Sequence, residues 1–208
     1  MTTLILASQS PARLGTLRRA GIEPVVIVSG VDEDQLGGLP PAELALQLAE
    51  LKCAAVSRLD DLADRAGGEA LVLGCDSVLD LDGEALGKPT DAADASARWA
   101  AMRGRSGVLH TGHALHDTAS GHVASATAST TVHFADVTDE EIAAYVASGE
   151  PLHVAGAFTI DGLGGAFVTR IEGDHHNVVG LSLPLVRELV AELGRSWVDL
   201  WTGPATTH

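Results

Sequence analysis

Short apolar runs alternate with polar turns along this chain, and the pattern predicts alternating strands and helices. The run LILAS at 4–8 ends in polar residues and predicts a buried strand. Ser10 and Pro11 then supply the N-cap and first turn of a helix that ends at Gly21. The β-branched run PVVIVS at 24–29 predicts a second strand. This strand–helix–strand opening implies a parallel pair with a right-handed crossover.

A long helix is predicted after Pro40–Pro41, because apolar side chains recur there every three or four residues. The stripe consists of Leu44, Leu48, Leu51, Ala55, Leu59 and Leu62. Lys52 lies at the flank of this stripe, and we expect its side chain to reach over the packed face.

The second half of the chain predicts an antiparallel part of the sheet. Segment 70–89 predicts a strand, a turn at Asp82–Gly83 and a short return strand. Segments 107–117 and 122–134 predict a hairpin about a TASG turn. Strand-like pieces alternate with glycines over 156–173. Helices are predicted at 91–102, 139–147 and 183–193, the second of them with a capping box of Thr138 and Glu141. The fold class is therefore α/β with a mixed sheet.

Length and composition place these elements in one domain. The 208 residues include 46% apolar side chains, enough for a single well-buried unit, which we assign to 1–194 with a C-terminal tail at 195–208. Two cysteines are too few for a disulfide framework, and the start MTTLILASQS lacks the basic segment of a signal peptide. No apolar run approaches the roughly 20 residues that span a bilayer. We expect a cytoplasmic protein with no membrane partner.

The net charge of the chain disfavours some classes of binding partner. A formal charge of −15 disfavours nucleic-acid polymers and anionic membranes. Of the 13 basic residues only Lys52 and Lys88 are lysines. A chain that uses arginine almost everywhere can retain lysine where a compact, mobile ammonium is needed, although chance placement is the alternative.

Two positions suggest chemistry from local pattern alone. The turn from Ser8 to Arg13 combines hydroxyls, backbone N–H groups and a guanidinium at a helix N-terminus, which attracts anions; simple capping is the alternative. Asp76 follows the apolar run 71–73 at the predicted end of a strand, where ligands gather in open α/β sheets. Its carboxylate can bind a divalent cation or accept a proton from water, or it can merely cap a turn.

Other reactive side chains favour structural roles. Cys75 points away from Asp76 in a regular strand, which predicts core packing. His110, His113 and His116 would converge on a helix, but in a strand His113 faces away from the other two, so a metal site of three histidines is disfavoured.

Taken together, the motifs resemble the Maf family of nucleoside triphosphate pyrophosphatases over roughly residues 3–193. They occur in the following order: LILASQSPAR, VDE at 31–33, Lys52, GCDSVLDLDGEALGKP at 74–89, HTG at 110–112, the segment 138–165, and IEGDHHNVVGLSLP at 171–184. Each motif is modest alone, whereas the ordered set is specific.

The resemblance implies an elongated mixed sheet flanked by helices, with two lobes and a cleft between them. It implies hydrolysis of a nucleoside triphosphate to the monophosphate and diphosphate, with Mg²⁺ or Mn²⁺, by a homodimer. Asp76 falls on the family's proton-accepting aspartate, and Asp76 and Glu33 are the expected metal-binding carboxylates. The family's polar cleft positions fall on Ser8, Ser10, Arg13, Glu33, Lys52 and Lys88.

Three positions associated with base selection depart from the family pattern: Ala12 replaces an arginine, Ser77 a frequent threonine, and Asp161 a glutamine. The base preference therefore stays open, with modified nucleotides among the candidates. The family also implies a secondary role in arresting septum formation. A catalytically weak nucleotide-sensing regulator is the alternative, although the intact Asp76, Lys52 and Lys88 oppose it.

Overall fold

The computed structural model describes residues 2–32, 36 and 38–202, and within them it has the predicted α/β fold. Seven strands form one mixed sheet in the order β2-β1-β3-β5-β6-β7, with β4 paired to β3. The strands are β1 (Thr3–Leu6), β2 (Val25–Val26), β3 (Ala70–Leu81), β4 (Glu84–Leu86), β5 (Ser106–Asp117), β6 (Val123–Phe134) and β7 (Val168–Glu172). The helices are α1 (Pro11–Arg19), α2 (Pro41–Ser57), α3 (Leu62–Ala66), α4 (Ala92–Met102), α5 (Asp139–Ala147), α6 (His175–Val179) and α7 (Leu183–Glu192).

The amino-terminal strands are parallel, as predicted. β1 pairs in parallel with β2 and, over its whole length, with Ala70–Leu73 of β3. β2 is shorter than the predicted 24–29, because its partner β1 ends at Leu6 and the chain turns away into α1. Val28 is accordingly 56% exposed.

The antiparallel part is built from three long strands. β5 and β6 form the predicted hairpin, and β3 pairs with β5 from Leu71 to Asp80. Asp76 pairs with Gly112 in the middle of this ladder, so its predicted place at a strand end is wrong. The strand continues because β5 pairs with it without interruption from Leu71 to Asp80, past Leu73, where the parallel partner β1 ends.

Helix α2 packs through a different face from the one predicted. Leu51 is 42% exposed, and Leu59, at 37%, lies beyond the end of α2 at Ser57, so the predicted stripe extends past the helix. The buried face consists of Pro41, Ala45, Leu48, Ala49, Lys52, Cys53 and Val56. The reason lies in the sheet, where Gly74 and Gly112 face the helix. A Cβ added at either glycine would lie 2.2 Å from the carbonyl oxygen of Ala49 or Ala45, respectively. Small side chains therefore form the contact, and Lys52 lies on the packed face and not at its flank.

The sheet separates the apolar side chains into three clusters. On one face α1 and α7 cover the amino-terminal half of the sheet, with Leu17, Leu73 and Val186 at 0% exposure. Farther along the same face, α4 and α5 enclose a second cluster around Trp99, which we call the Trp99 core. On the opposite face α2 and α3 cover a third cluster that includes Val72 and Ala114. Asp76 lies on β3 between the amino-terminal clusters and the Trp99 core.

The segment predicted as strand-like pieces at 156–173 is mostly irregular. Only Val168–Glu172 is a strand, and the preceding chain forms 3₁₀ turns at Glu150–His153, Ala155–Ala157 and Leu163–Phe167. Gly156 and Ala157 both have positive φ angles, which are incompatible with a strand. The indole of Trp99 donates a hydrogen bond of 2.8 Å to the carbonyl of Ala157 and holds this turn in place.

The chain beyond α7 packs against the amino-terminal half of the sheet as far as Thr202. Trp197–Leu200 forms a 3₁₀ turn, Leu200 is 2% exposed, and the carbonyl of Asp199 accepts a hydrogen bond from the backbone of Thr2. Across the described ranges, no helix combines the length and the apolar character needed to cross a membrane.

Candidate active site

A buried ion pair lies where α2 crosses the sheet. The Nζ of Lys52 is 2.5 Å from Oδ1 of Asp76, and each residue is 7% exposed. The glycines of β3 and β5 produce this geometry, since they let the helix approach until a lysine on its buried face meets the strand. Two opposite charges that are removed from water together stabilise each other, whereas either one alone would be costly. The pair is the candidate centre of the site.

Arg13 connects three segments on the opposite face of the sheet. Its Nε donates to the carbonyl of Gly180 at 2.7 Å, and Nη1 donates to the carbonyl of Cys75 at 2.9 Å and to Oγ of Ser8 at 3.1 Å. Its Nη2 donates to Oγ of Ser77 at 2.9 Å. Arg13 is 8% exposed, and the hydrogen bonds of its guanidinium join the β1–α1 turn, β3 and the turn after α6.

The two serines of the β1–α1 turn organise the start of α1. Ser10 is the N-cap, and its Oγ accepts from the backbone of Arg13 at 3.4 Å. Oγ of Ser8 accepts from the backbone of Ser10 at 3.2 Å. An accepting hydroxyl retains its own hydrogen for donation, so both side chains can still donate to an anion at this helix end.

Lys88 follows β4 in the chain. β4 runs antiparallel to β3, with Leu86 opposite Leu79, so the chain that leaves β4 returns alongside β3 towards Asp76. Arg98 fixes this return by donating to the carbonyls of Gly87 and Lys88, at 2.6 and 3.4 Å. The side chain of Lys88 is exposed. Glu33, the other predicted metal ligand, lies outside the described residues.

The three base-selection candidates occupy two parts of the molecule. Ala12 is half-buried beside Arg13 in α1, and Ser77 is hydrogen-bonded both to Arg13 and, at 3.0 Å, to Oγ1 of Thr111. Asp161 is exposed in the loop between the turn at 155–157 and the turn at 163–167. Among the described residues no hydrogen bond or ion pair joins Asp161 to Ala12 or Ser77.

The loop that carries Asp161 is fixed by a carboxylate beneath it. Oε1 of Glu150 accepts from the hydroxyls of Tyr145 and Thr159, at 3.0 and 2.5 Å, and from the backbone of Gly164 at 3.0 Å. Its Oε2 accepts from the backbone of Leu163 at 2.9 Å. Burial opposes the ionisation of Glu150, but these hydrogen bonds outweigh it and lower the pKa of the carboxyl.

The histidines alternate across β5 as the strand prediction requires. His113 is fully buried; its Nδ1–H donates to the carbonyl of Thr111 at 3.0 Å, and its Nε2 accepts from the backbone of Ser182 at 2.9 Å. Burial, together with the charge of Arg13, lowers the pKa of His113 to about 4, so the ring is neutral at neutral pH. His110 lies on the other face, 2.8 Å from Oγ of Ser129. In the part of the chain that the structure describes, no three His, Cys, Asp or Glu side chains are grouped as metal ligands.

Cys75 is a core residue, as predicted. It is 0% exposed in the cluster under α1 and α7, and burial raises the pKa of its thiol to about 12. Such a thiol is inert as a nucleophile at neutral pH.

Sequence reasoning missed the partners that hold the site together. Thr111, Gly180 and Glu150 were not singled out, because a hydroxyl, carbonyl or half-buried carboxylate that accepts from distant residues has no local signature. The signal available was their position inside the motif HTG, the motif IEGDHHNVVGLSLP and the segment 138–165.

Comparison with known proteins agrees with the resemblance. The family model described as Maf-like protein matches residues 3–193. A protein of Streptomyces avermitilis named nucleoside triphosphate pyrophosphatase is 64% identical over 199 residues, 96% of this chain and 94% of its own. Proteins with the same name from Streptomyces coelicolor and Salinispora tropica are 63% and 61% identical, over 95% and 99% of this chain and 94% and 90% of theirs. By its matched length and by these identities, the chain belongs to the Maf family.

Proposed function

We propose that this chain is a nucleoside triphosphate pyrophosphatase, a hydrolase that releases a nucleoside monophosphate and diphosphate. The observation that carries the proposal is the buried Lys52–Asp76 pair, in a chain at least 61% identical to three proteins of that name. A carboxylate in such a pair is held in one orientation, as a proton acceptor for water must be.

The reaction requires attack of water at the α-phosphorus. The new bond joins the water oxygen to this phosphorus, the bond from the α-phosphorus to the bridging oxygen breaks, and diphosphate leaves with the bonding electrons. Asp76 accepts the proton of the water, and Lys52 orients the Asp76 carboxylate through its 2.5 Å contact.

An acidic protein must concentrate cations locally to bind a triphosphate. The chain has a charge of −15, and Lys88, Lys52 and the amino-terminal end of α1 supply positive charge around the site. Ser8 and Ser10 add hydroxyl donors at that helix end, while Arg13 holds them in place. These groups stabilise the negative charge that develops on the leaving diphosphate.

A divalent cation, Mg²⁺ or Mn²⁺, belongs to this proposal. The donor chemistry fits, because a carboxylate accepts at two oxygens and Lys52 contacts one oxygen of Asp76. Mg²⁺ is commonly held by one or two carboxylates together with substrate phosphates, so Asp76 and Glu33 would hold it without a larger protein cage. When bound, the ion supplies electrostatic stabilisation of phosphate oxygens.

The base-selection positions favour a broad specificity that includes modified nucleotides. Ala12 leaves more space than a large cation would, and the Asp161 carboxylate only accepts hydrogen bonds, unlike an amide, which also donates. Asp161 therefore favours base edges with N–H donors, such as those of guanine, over the carbonyl oxygens of uracil. We further propose a cytoplasmic homodimer, with any role in arresting septum formation secondary to hydrolysis.

The test is incubation with Mg²⁺ or Mn²⁺ and a panel of canonical and modified nucleoside triphosphates in ¹⁸O-labelled water. Equal amounts of monophosphate and diphosphate are expected, with the label in the monophosphate, because water attacks the α-phosphorus. Label in the diphosphate, or release of nucleoside diphosphate with inorganic phosphate, would contradict the bond assignment. Nucleotide binding without any turnover would favour the sensing regulator.

A further inference from the structure

Glu150 lies outside every role assigned above, yet it organises the segment that presents Asp161. Its two carboxylate oxygens accept four hydrogen bonds, and three of the donors belong to the loop over 159–164: the Thr159 hydroxyl and the amides of Leu163 and Gly164. The fourth donor is the Tyr145 hydroxyl, which also accepts from the backbone of Thr159 at 3.2 Å. Three donors of the loop therefore bind the single carboxylate of Glu150.

The glycines of the loop show how closely it is fitted to this charge. A Cβ at Gly162 would lie 2.5 Å from Oε2 of Glu150, and a Cβ at Gly164 would lie 2.4 Å from the Tyr145 hydroxyl. Neither contact is sterically possible, so the backbone touches the carboxylate and the phenol directly. These contacts, with the hydrogen bond from Thr159, hold the backbone on both sides of Asp161.

The rigidity of the loop comes from the Trp99 core. The ring of Tyr145 packs edge-to-face on Trp99 and Phe167, with centroids 5.5 Å apart in both pairs. Tyr145 is 3% exposed, and its position is fixed by aromatic packing. Glu150 accepts from Tyr145 and from three donors of the loop, so it links the loop to this fixed ring. Hydrogen bonds to a charged acceptor are stronger than bonds between neutral groups.

We propose that Glu150 is a positioning residue for base selection: by holding the 159–164 loop, its carboxylate sets where Asp161 meets the base of the nucleotide. This inference rests on the proposed function, and it adds a residue that acts on discrimination between bases and not on phosphate chemistry. A carboxylate discriminates between base edges only when its position is fixed, since an error of about 1 Å in a bound geometry is worth on the order of 10²-fold in rate. Lys52, Asp76 and Arg13 share no hydrogen bond with Glu150 in the described chain.

The test compares kcat/KM for GTP and UTP in Glu150→Gln and in the wild type. Glutamine keeps the shape, but its NH₂ end cannot accept from the loop, so Asp161 loses its fixed position. The GTP/UTP ratio is expected to fall about tenfold towards that of Asp161→Ala. Adding Asp161→Ala to Glu150→Gln is expected to change the ratio little further, because both substitutions remove the same interaction.

Two further variants keep the outcome interpretable. Glu141→Gln removes a charge from α5, the helix that carries Tyr145, while preserving a capping-box residue type, and it is expected to leave the ratio unchanged. If Glu150→Gln does not fold, Tyr145→Phe removes the hydroxyl that contacts Glu150 and Thr159 and retains the ring, and the same fall in ratio is expected.

The opposing results are distinct. An equal loss of kcat/KM for both nucleotides would show that Glu150 only stabilises the fold, and it would overturn the inference. An unchanged ratio in Asp161→Ala would overturn it as well, because there would be no discrimination to position. Failure of the wild type to release diphosphate from any nucleotide would overturn the proposed function itself, and the inference with it.

Discussion

Lys52 and Asp76 occupy a place where a single charged side chain would be unfavourable. Both are 7% exposed, and the backbone of α2 lies against Gly74, two residues before Asp76 in β3. Removal of one partner from a buried ion pair typically costs about 3–5 kcal/mol, because the other charge is left without compensation. Activity measurements on these residues therefore need a folding measurement beside them.

The first prediction concerns Asp76→Asn. The amide keeps the shape of the side chain and loses the proton-accepting charge, so turnover is expected to fall on the order of 10²–10⁴-fold. Diphosphate release measures the rate, and circular dichroism confirms that the variant is folded. Asp64→Asn, at an exposed position of α3, is the matched control and is expected to retain wild-type turnover. Activity of Asp76→Asn within a few-fold of the wild type would remove Asp76 from the mechanism.

The second prediction concerns the two lysines. Lys52→Ala and Lys88→Ala are each expected to lower kcat/KM on the order of 10²-fold, the usual effect of losing one positioned donor to developing charge. Lys→Arg at the same positions is expected to restore only part of the loss, because the guanidinium is bulkier and planar. Steady-state kinetics with one triphosphate measure the effect, and Arg170→Ala, at an exposed residue, is the control. Wild-type rates in both alanine variants would make the placement of the lysines coincidental.

At the scale of elements, the packing of α2 on β3 and β5 decides where the ion pair forms. Gly74 and Gly112 have no side chain between the sheet and the helix. The backbone of α2 therefore packs directly on them, through Ala49 and Ala45 respectively. The helix cannot move away from the sheet without separating Nζ of Lys52 from the carboxylate of Asp76. The stability of the fold and the geometry of the ion pair are therefore coupled through two glycines that carry no reactive side chain.

The third prediction tests this coupling with Gly74→Ala and Gly112→Ala. Each new Cβ would lie 2.2 Å from a helix carbonyl oxygen, so the free energy of unfolding is expected to drop by about 1–3 kcal/mol or more. Urea unfolding measures the drop. Gly87→Ala is the matched control, since a Cβ there meets nothing within 4 Å. Equal midpoints for Gly74→Ala and Gly87→Ala would contradict the close approach of the helix.

At the scale of the whole molecule, an ion pair fastens the end of the described chain to the sheet. Arg195 donates to both carboxylate oxygens of Asp117 at 2.9 Å, and Asp117 is 2% exposed at the end of β5. The Arg195 guanidinium, with further hydrogen bonds from the turn at 117–120, lowers the pKa of Asp117 to about 2. Leu200 then packs under α1 and α7.

The fourth prediction follows from the sign of this shift. A carboxyl whose pKa is lowered by folding contributes stability above its ordinary pKa, and the contribution is lost as the pH falls towards the lowered value. Arg195→Gln is therefore expected to have a lower Tm than the wild type at neutral pH, with the difference shrinking below about pH 4 and vanishing only below about pH 2. Thermal unfolding across this range measures it.

The control for this pH series is Arg65→Gln, which breaks an exposed pair with Asp61. Exposed pairs contribute little, so its Tm is expected to follow the wild type at every pH. A Tm difference for Arg195→Gln that stays constant down to pH 2 would contradict the assignment of the shift to Arg195.

The sequence predicted those features whose cause is local. The β5–β6 hairpin follows from alternation around a polar turn, and the capping box of Thr138 and Glu141 is confirmed as predicted. Features with distant causes were missed or misplaced. The buried face of α2 depends on glycines of other elements, and β3 runs past Asp76 because β5 pairs with it there.

The candidate site shows the same division. Alternation along a strand correctly separated Cys75 from Asp76 and His113 from His110. The guanidinium of Arg13, by contrast, donates hydrogen bonds to acceptors 62, 64 and 167 residues away in the sequence. A pattern of neighbouring residues cannot predict such partners. The catalytic and binding roles of Asp76, the lysines and the serines stay predictions that the proposed variants test.

The three long strands have a consequence for how this protein can evolve. β3, β5 and β6 are each twelve residues long, and each contributes side chains both to the amino-terminal clusters and to the Trp99 core. Exchange of one half of the molecule for that of another protein would need a crossover within each of the three strands. The two halves are therefore not contiguous segments of the sequence that a single crossover could exchange.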